Sequence, residues 1–155
     1  MNVLNRRRSF KRTQLGRQVR GRRLPIVSDK YRGTTKYFHV HGELVRAAQY
    51  RGVTTYQDIA LIIALPLTGS YMGAQTGHIL GEISEDEFRA GRPLLSAVAV
   101  GVSGNPGPGF FTLARELGKL RDGETEDAFW ESERERVYAT WKRPLGGDVS
   151  EAGAA

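Results

Sequence analysis

His39, His41 and Glu43 stand two apart in the segment HVHGE, where side chains able to ligate a metal crowd together. On a strand all three would share a face and could hold zinc, which takes imidazole nitrogens and carboxylate oxygens. The apolar positions argue for a helix instead. Phe38, His41, Leu44, Val45 and Ala48 recur at intervals of three and four, and a helix of that phase sends the three candidate ligands in different directions. His78 and Glu82 lie four apart, a spacing that makes a helix-surface pair. The segment GNPGPG is glycine-rich but has no lysine and no strand-loop-helix phosphate pattern, so it reads as a turn or wing. The absence of cysteine excludes disulfides, thiolate zinc sites and cysteine nucleophiles. No nucleophile, base and orienting acid come together with any specificity. No catalytic residue, metal site or cofactor is assigned.

Charge points elsewhere. The formal net charge is +6, yet nine of the 23 basic residues lie before residue 24 and the first acid is Asp29, so the rest of the chain is net negative. Arg6, Arg7, Arg8, Lys11, Arg12, Arg17, Arg20, Arg22 and Arg23 form an arm of repelling charges with few apolar residues, expected to be disordered on its own over residues 1–28. Such an arm can neutralise phosphates and release counterions without reading sequence. The longest apolar run, residues 59–67 with Pro66 inside it, is far short of the ~20 residues that cross a bilayer, and the N-terminus lacks an apolar signal core. A cytoplasmic protein with no membrane partner is the expectation.

The elements that must position any site are mainly helical. One helix runs from Phe38 and stops at Gly52, a favoured terminator. Thr55 is placed to cap a second, with Asp58 near its positive end, a buried face at Ile59, Leu61, Ile62 and Ile63, and Pro66 as its stop. A third spans residues 70–82, turning Met72, Thr76, Ile79, Leu80 and Ile83 inward and Tyr71, Ala74, Gln75 and His78 outward. The charged stretch SEDEFRAG after it reads as a solvated helix end. Residues 94–102, rich in β-branched side chains, read as a strand running into the Gly/Pro turn 103–109. A helix with Phe110, Leu113, Leu117 and Leu120 on one side follows, closed by Gly123. A last helix opens with Glu124, Glu126 and Asp127, ends at Lys142 and Arg143, and docks Trp130, Val137 and Trp141 on the core. The fold class is α+β, mainly helical, with a globular domain over residues 29–143 and a flexible tail over 144–155.

This order of elements, with TTYQDIA and the loop GVSGNPGPGF, resembles the winged-helix DNA-binding domain of the alkylguanine DNA alkyltransferases and their alkyltransferase-like relatives, over residues 38–120. Thr55, Tyr56, Asp58, Ile59 and Ala60 match that family's T-Y-G-[ED]-[IV]-A segment. Gly101, Ser103, Gly104 and the glycines through Gly109, ending at Phe110, are similar to its glycine-rich loop. The resemblance implies a helix-turn-helix with short β-strands, a Gly-rich wing and, here, an extra C-terminal helix. Two departures matter. Where the family has P-C-H-R, this chain has Leu95, Ser96, Ala97 and Val98, so alkyl transfer to cysteine is chemically impossible. Where the reading helix of the family begins R-A-V-G, this chain has Ser70, Tyr71, Met72 and Gly73, and Tyr71 becomes a candidate aromatic wedge.

The functional expectation is a non-enzymatic protein that binds nucleic acid, double-stranded DNA first. Thr55 and Tyr56 would meet phosphate near a helix N-terminus, and Ser70, Tyr71, Gln75 and His78 would face a groove. Ser103 and Asn105 would lie along the backbone as a wing, while the basic arm adds nonspecific affinity. Two other readings stay open: a protein-interaction module or small subunit binding a partner through the acidic C-terminal helix, and an unrecognised nuclease or hydrolase.

Overall fold

A computed structural model describes residues 25–143. The tail expected over 144–155 and most of the arm, with Arg6, Arg7, Arg8, Lys11, Arg12, Arg20, Arg22 and Arg23, lie outside the described residues. The architecture is α+β and mainly helical. In chain order it consists of α1 (Thr35–Gln49), β1 (Thr54–Thr55), α2 (Tyr56–Ile62), α3 (Ser70–Arg89), a 3-10 turn (Leu95–Val98), β2 (Ala99–Val100), α4 (Pro108–Glu116) and α5 (Glu126–Thr140). The two strands pair in parallel, Thr54 beside Ala99 and Thr55 beside Val100. No helix among the described residues is long and apolar enough to cross a membrane.

Local chemistry sets most helix ends. Thr34 caps α1 by accepting from the Tyr37 amide. The buried face is therefore Tyr37, Val40, Leu44, Ala47 and Ala48, about one position round from the expected phase, and Phe38 is left 62% exposed. The helix ends before Arg51, which takes a left-handed φ of 53°, and the Gly52 amide then donates back to Ala47. Thr55 caps α2 as expected, and Asp58 returns the bond to the Thr55 amide, completing a reciprocal box. The stop comes two residues before Pro66: Ala64 is left-handed at φ 57°, with Leu65 N–H on the Ala60 carbonyl and Ala64 N–H on that of Leu61. Pro66 holds Leu65 out of the helical region and so makes this exit the available one.

The third helix departs most from expectation. Instead of ending near residue 82, α3 continues to Arg89, and Glu82, Ser84, Glu85 and Glu87 are buried rather than solvated. The physical reason lies outside the helix, in donors brought by residues 26–32, α1 and Arg92, which replace the water these carboxylates lose.

The expected strand over 94–102 is mostly the 3-10 turn, with only Ala99 and Val100 extended. Every residue from Leu94 to Val100 is buried, and a continuous apolar run has no alternation to mark it as strand. Its backbone groups are met by side chains from neighbouring helices. Leu94 N–H donates to Glu133 at 2.7 Å, Ser96 N–H to Ser84 at 3.1 Å, and the Ala97 carbonyl accepts from the Trp130 indole at 2.8 Å. Pro108 opens α4, which closes early at Gly118 (φ 73°) rather than near Gly123. Thr125 caps α5, whose Phe129, Val137 and Tyr138 are buried while Trp130 and Trp141 pack against the core.

Ile79 sits at the centre of this core with no exposed surface. Ile79→Ala is expected to lower unfolding free energy by about 2–5 kcal/mol, read from urea melts, because the neighbouring helices cannot collapse into the space it leaves.

Candidate functional site

Tyr56, the first residue of α2, organises the glycine-rich loop. The Gly107 amide donates to its hydroxyl oxygen, and the ring lies flat enough on the loop that a Cβ at Gly107 would come within 3.2 Å of that oxygen. A larger residue at this position would have to push the Tyr56 ring back by a few tenths of an ångström. Burial raises the Tyr56 pKa above the ordinary phenol value and the Gly107 amide opposes the rise, so the hydroxyl stays protonated. The loop is closed on itself by Gly101 N–H to the Asn105 carbonyl at 2.9 Å and Gly104 N–H to the Gly101 carbonyl at 3.0 Å.

Behind Tyr56 lies a cavity of about 620 Å³. One side is the first half of α3, through Gly73, Thr76 and Gly77, and the other is the start of α4. Its floor includes Ser96, only 6% exposed. The Ser84 hydroxyl donates to the Ser96 hydroxyl oxygen at 2.6 Å, and among the described residues no histidine or carboxylate bonds to either serine. A serine without a base is a polar anchor and not an activated nucleophile.

The third wall is a stretch that straddles the expected boundary between arm and domain at residue 28. Residues 26–32 run across α3 without regular structure, tied by main-chain amides to buried carboxylates. Ile26 and Val27 donate to Glu85 at 2.6 and 3.1 Å, and Lys30 and Tyr31 donate to Glu82, the latter at 2.9 Å. Arg32 bonds Glu85 at 2.7 Å and Asp86 at 2.9 Å, and Tyr37 donates its hydroxyl to Asp86 at 2.7 Å. Ile26, Val27 and Ser28 line the cavity.

The expected site residues fall into three groups. Ser70, Tyr71, Ser103 and Asn105 are exposed, Tyr71 at 59%. Thr55 and Tyr56 are committed to the helix cap and the loop. Gln75 and His78, expected to face outward into a groove, lie on that outer face but are half-buried there. The Gln75 amide oxygen accepts from the Tyr31 hydroxyl at 2.6 Å and from the Lys30 ammonium, and His78 Nε2 meets the Ser28 carbonyl at 2.8 Å. The correction has a plain cause: the helical phase was right, but a segment about fifty residues earlier in the chain lies on that face. The one sequence signal for it was Gly81, whose missing Cβ makes room for Val27.

No protein-family model, curated protein or solved structure matches the chain. His39, His41 and Glu43 are separated on α1; His41 pairs with Glu87 at 3.1 Å and Glu43 with Arg46 at 2.7 Å. No metal-binding cluster occurs among the described residues.

The carboxylate set makes the fold acid-sensitive in a defined window. Burial works to raise the pKa values of Glu85 and Glu87, but their hydrogen bonds win: amides of Ile26 and Val27 with Arg32 lower the first, and His41 with Arg92 brings the second to about 2. A carboxylate with a depressed folded pKa stabilises fully above its unfolded value and loses that stabilisation as pH falls through the folded value. Stability is therefore expected to decline from about pH 4.5 down to about 2. Glu87→Gln should lower stability at pH 7 and flatten that decline in chemical melts taken across the window.

Proposed function

We propose that this chain is a non-enzymatic, winged-helix-like protein that binds nucleic acid, double-stranded DNA above all. The observation that carries the reading is the convergence of three features on one cavity: Tyr56 at the start of α2, the N-terminal half of α3, and the glycine-rich loop. About 620 Å³ lies within the ~300–1,000 Å³ of ordinary small-ligand pockets. Proteins that read or process a base inside a duplex extrude it into a pocket of this kind, and an exposed aromatic can hold the gap it leaves. Tyr71, in the first turn of α3, is the candidate for that wedge. The exposed Ser103 and Asn105 are the wing contacts, and the nine cations of the arm supply phosphate affinity that the net-negative remainder does not.

The resemblance to the alkyltransferase-like proteins supports the same reading without the chemistry, since Ser96 stands where a cysteine would be needed. Binding and recognition are then the whole activity. The competing reading of α5 as a partner surface is weakened by its geometry: Trp130 bonds the Ala97 carbonyl and Tyr138 bonds that of Gly52, so these aromatics face inward.

Mobility shifts on duplex DNA, single strands and RNA over a salt series test the proposal. Duplex DNA should shift at the lowest protein concentration, and removal of residues 1–24 should weaken binding and flatten its salt dependence while leaving the melting transition in place. Equal salt slopes with and without the arm would remove it from the interface. Tyr71→Ala should weaken duplex binding by about 1–3 kcal/mol with little change in Tm, as expected for loss of an exposed stack.

A further inference from the structure

We infer that residues 25–30 are a hinged flap that gates the cavity and the α3 face beneath it, a regulation that rests on the binding function proposed above. The flap is held by polar contacts, among them two from the anchor itself: Arg32 donates to the Val27 carbonyl at 2.9 Å and pairs with the Asp29 carboxylate. Its amides at Ile26, Val27 and Lys30 are held by Glu85 and Glu82, its Ser28 carbonyl by His78, and its Lys30 ammonium by Gln75. Val27 is its single seat, resting on Gly81 so closely that a Cβ there would lie 3.2 Å from a Val27 methyl. Pro25, Ile26, Ser28, Asp29 and Lys30 are otherwise exposed, so lifting the flap uncovers little apolar surface.

The anchor beyond it is different in kind. Tyr31 is buried, Arg32 bridges Glu85 and Asp86, and Gly33 turns the chain at φ 75° into α1. This difference keeps the open form affordable. When residues 25–30 lift, Glu82 keeps the Tyr31 amide and His78, and Glu85 keeps Arg32 and Arg89. No buried carboxylate is orphaned, and stranding one is the event that would make opening prohibitive. The same movement removes one wall of the cavity and takes the Lys30 ammonium off Gln75 and the Ser28 carbonyl off His78, while Gln75 keeps the Tyr31 hydroxyl and His78 keeps Glu82. Because Arg23, the last of the arm's cations before Pro25, is two residues from the flap, phosphate capture by the arm acts on the flap directly.

The chain has no cysteine, so the gate can be locked cleanly. A Cβ at Gly81 would lie 4.0 Å from the Val27 Cβ, within the spacing a disulfide spans. In the full-length V27C/G81C protein, oxidation should weaken binding of both an anilinonaphthalene sulfonate dye and duplex DNA by at least about tenfold relative to the same protein reduced, as expected when the competent state is made inaccessible. The parent should be indifferent to reductant. In the parent, hydrogen exchange at the Ile26, Val27 and Lys30 amides should be faster than at Ile79 and Ile83, through local opening. Equal dye binding in the two redox states, or flap amides that exchange only with global unfolding, overturns the gate. If oxidation excludes the dye but no form binds any nucleic acid, the gate stands and the nucleic-acid reading falls. If both redox forms bind dye and duplex equally, the gate falls and that reading stands.

Discussion

A carboxylate taken out of water costs several kcal/mol unless donors meet it, and the second half of α3 takes Glu82, Glu85 and Glu87 out of water within two turns. Everything around that helix is arranged to supply the donors. Main-chain amides come from residues 26–31, guanidinium groups from Arg32 and Arg92, an imidazole from His41, and Asp86 draws in the Tyr37 hydroxyl from α1. The N-terminal stretch, α1 and the chain after α3 are thereby tied to one helix by charge-assisted bonds. Glu133 of α5 repeats the device on the far side, buried against the Leu94 amide and the Lys119 ammonium.

This arrangement explains why a two-residue parallel sheet is enough. A pair that short contributes little by itself, and the residues around it use side chains to satisfy backbone groups that a longer ladder would have taken. Glu133, Ser84 and Trp130 each meet a main-chain group in the 94–97 stretch. The 3-10 turn is the geometry that lets all three reach, and it also lays Ser96 on the cavity floor.

The cavity follows from the same economy of contacts. Glycines at 73, 77 and 81 leave α3 thin along one side, and Tyr56 is held off the helix by the loop it clasps. Space between a thin helix and a fixed aromatic is not filled by the core, so it faces the flap.

Much of this was legible in the chain itself. The Thr55 cap, the helical type of each long element and the Gly/Pro turn expected over 103–109, which ends at Gly107 where Pro108 opens α4, depend on residues within a few positions of one another, where propensity and capping act directly. Tyr71 was correctly placed on an exposed helix face for the same reason. The inward turn of Glu85 and Glu87, the 3-10 turn at Leu95–Val98, and the partial burial of Gln75 and His78 were not legible. Each depends on a partner far along the chain, such as Ile26, 59 residues from Glu85. A run of acids reads as solvated until a donor is known to meet it, and which donor arrives is decided only when the chain folds back on itself. Local sequence determined which helices form and where they are capped; tertiary contact decided which of their polar faces remain in water.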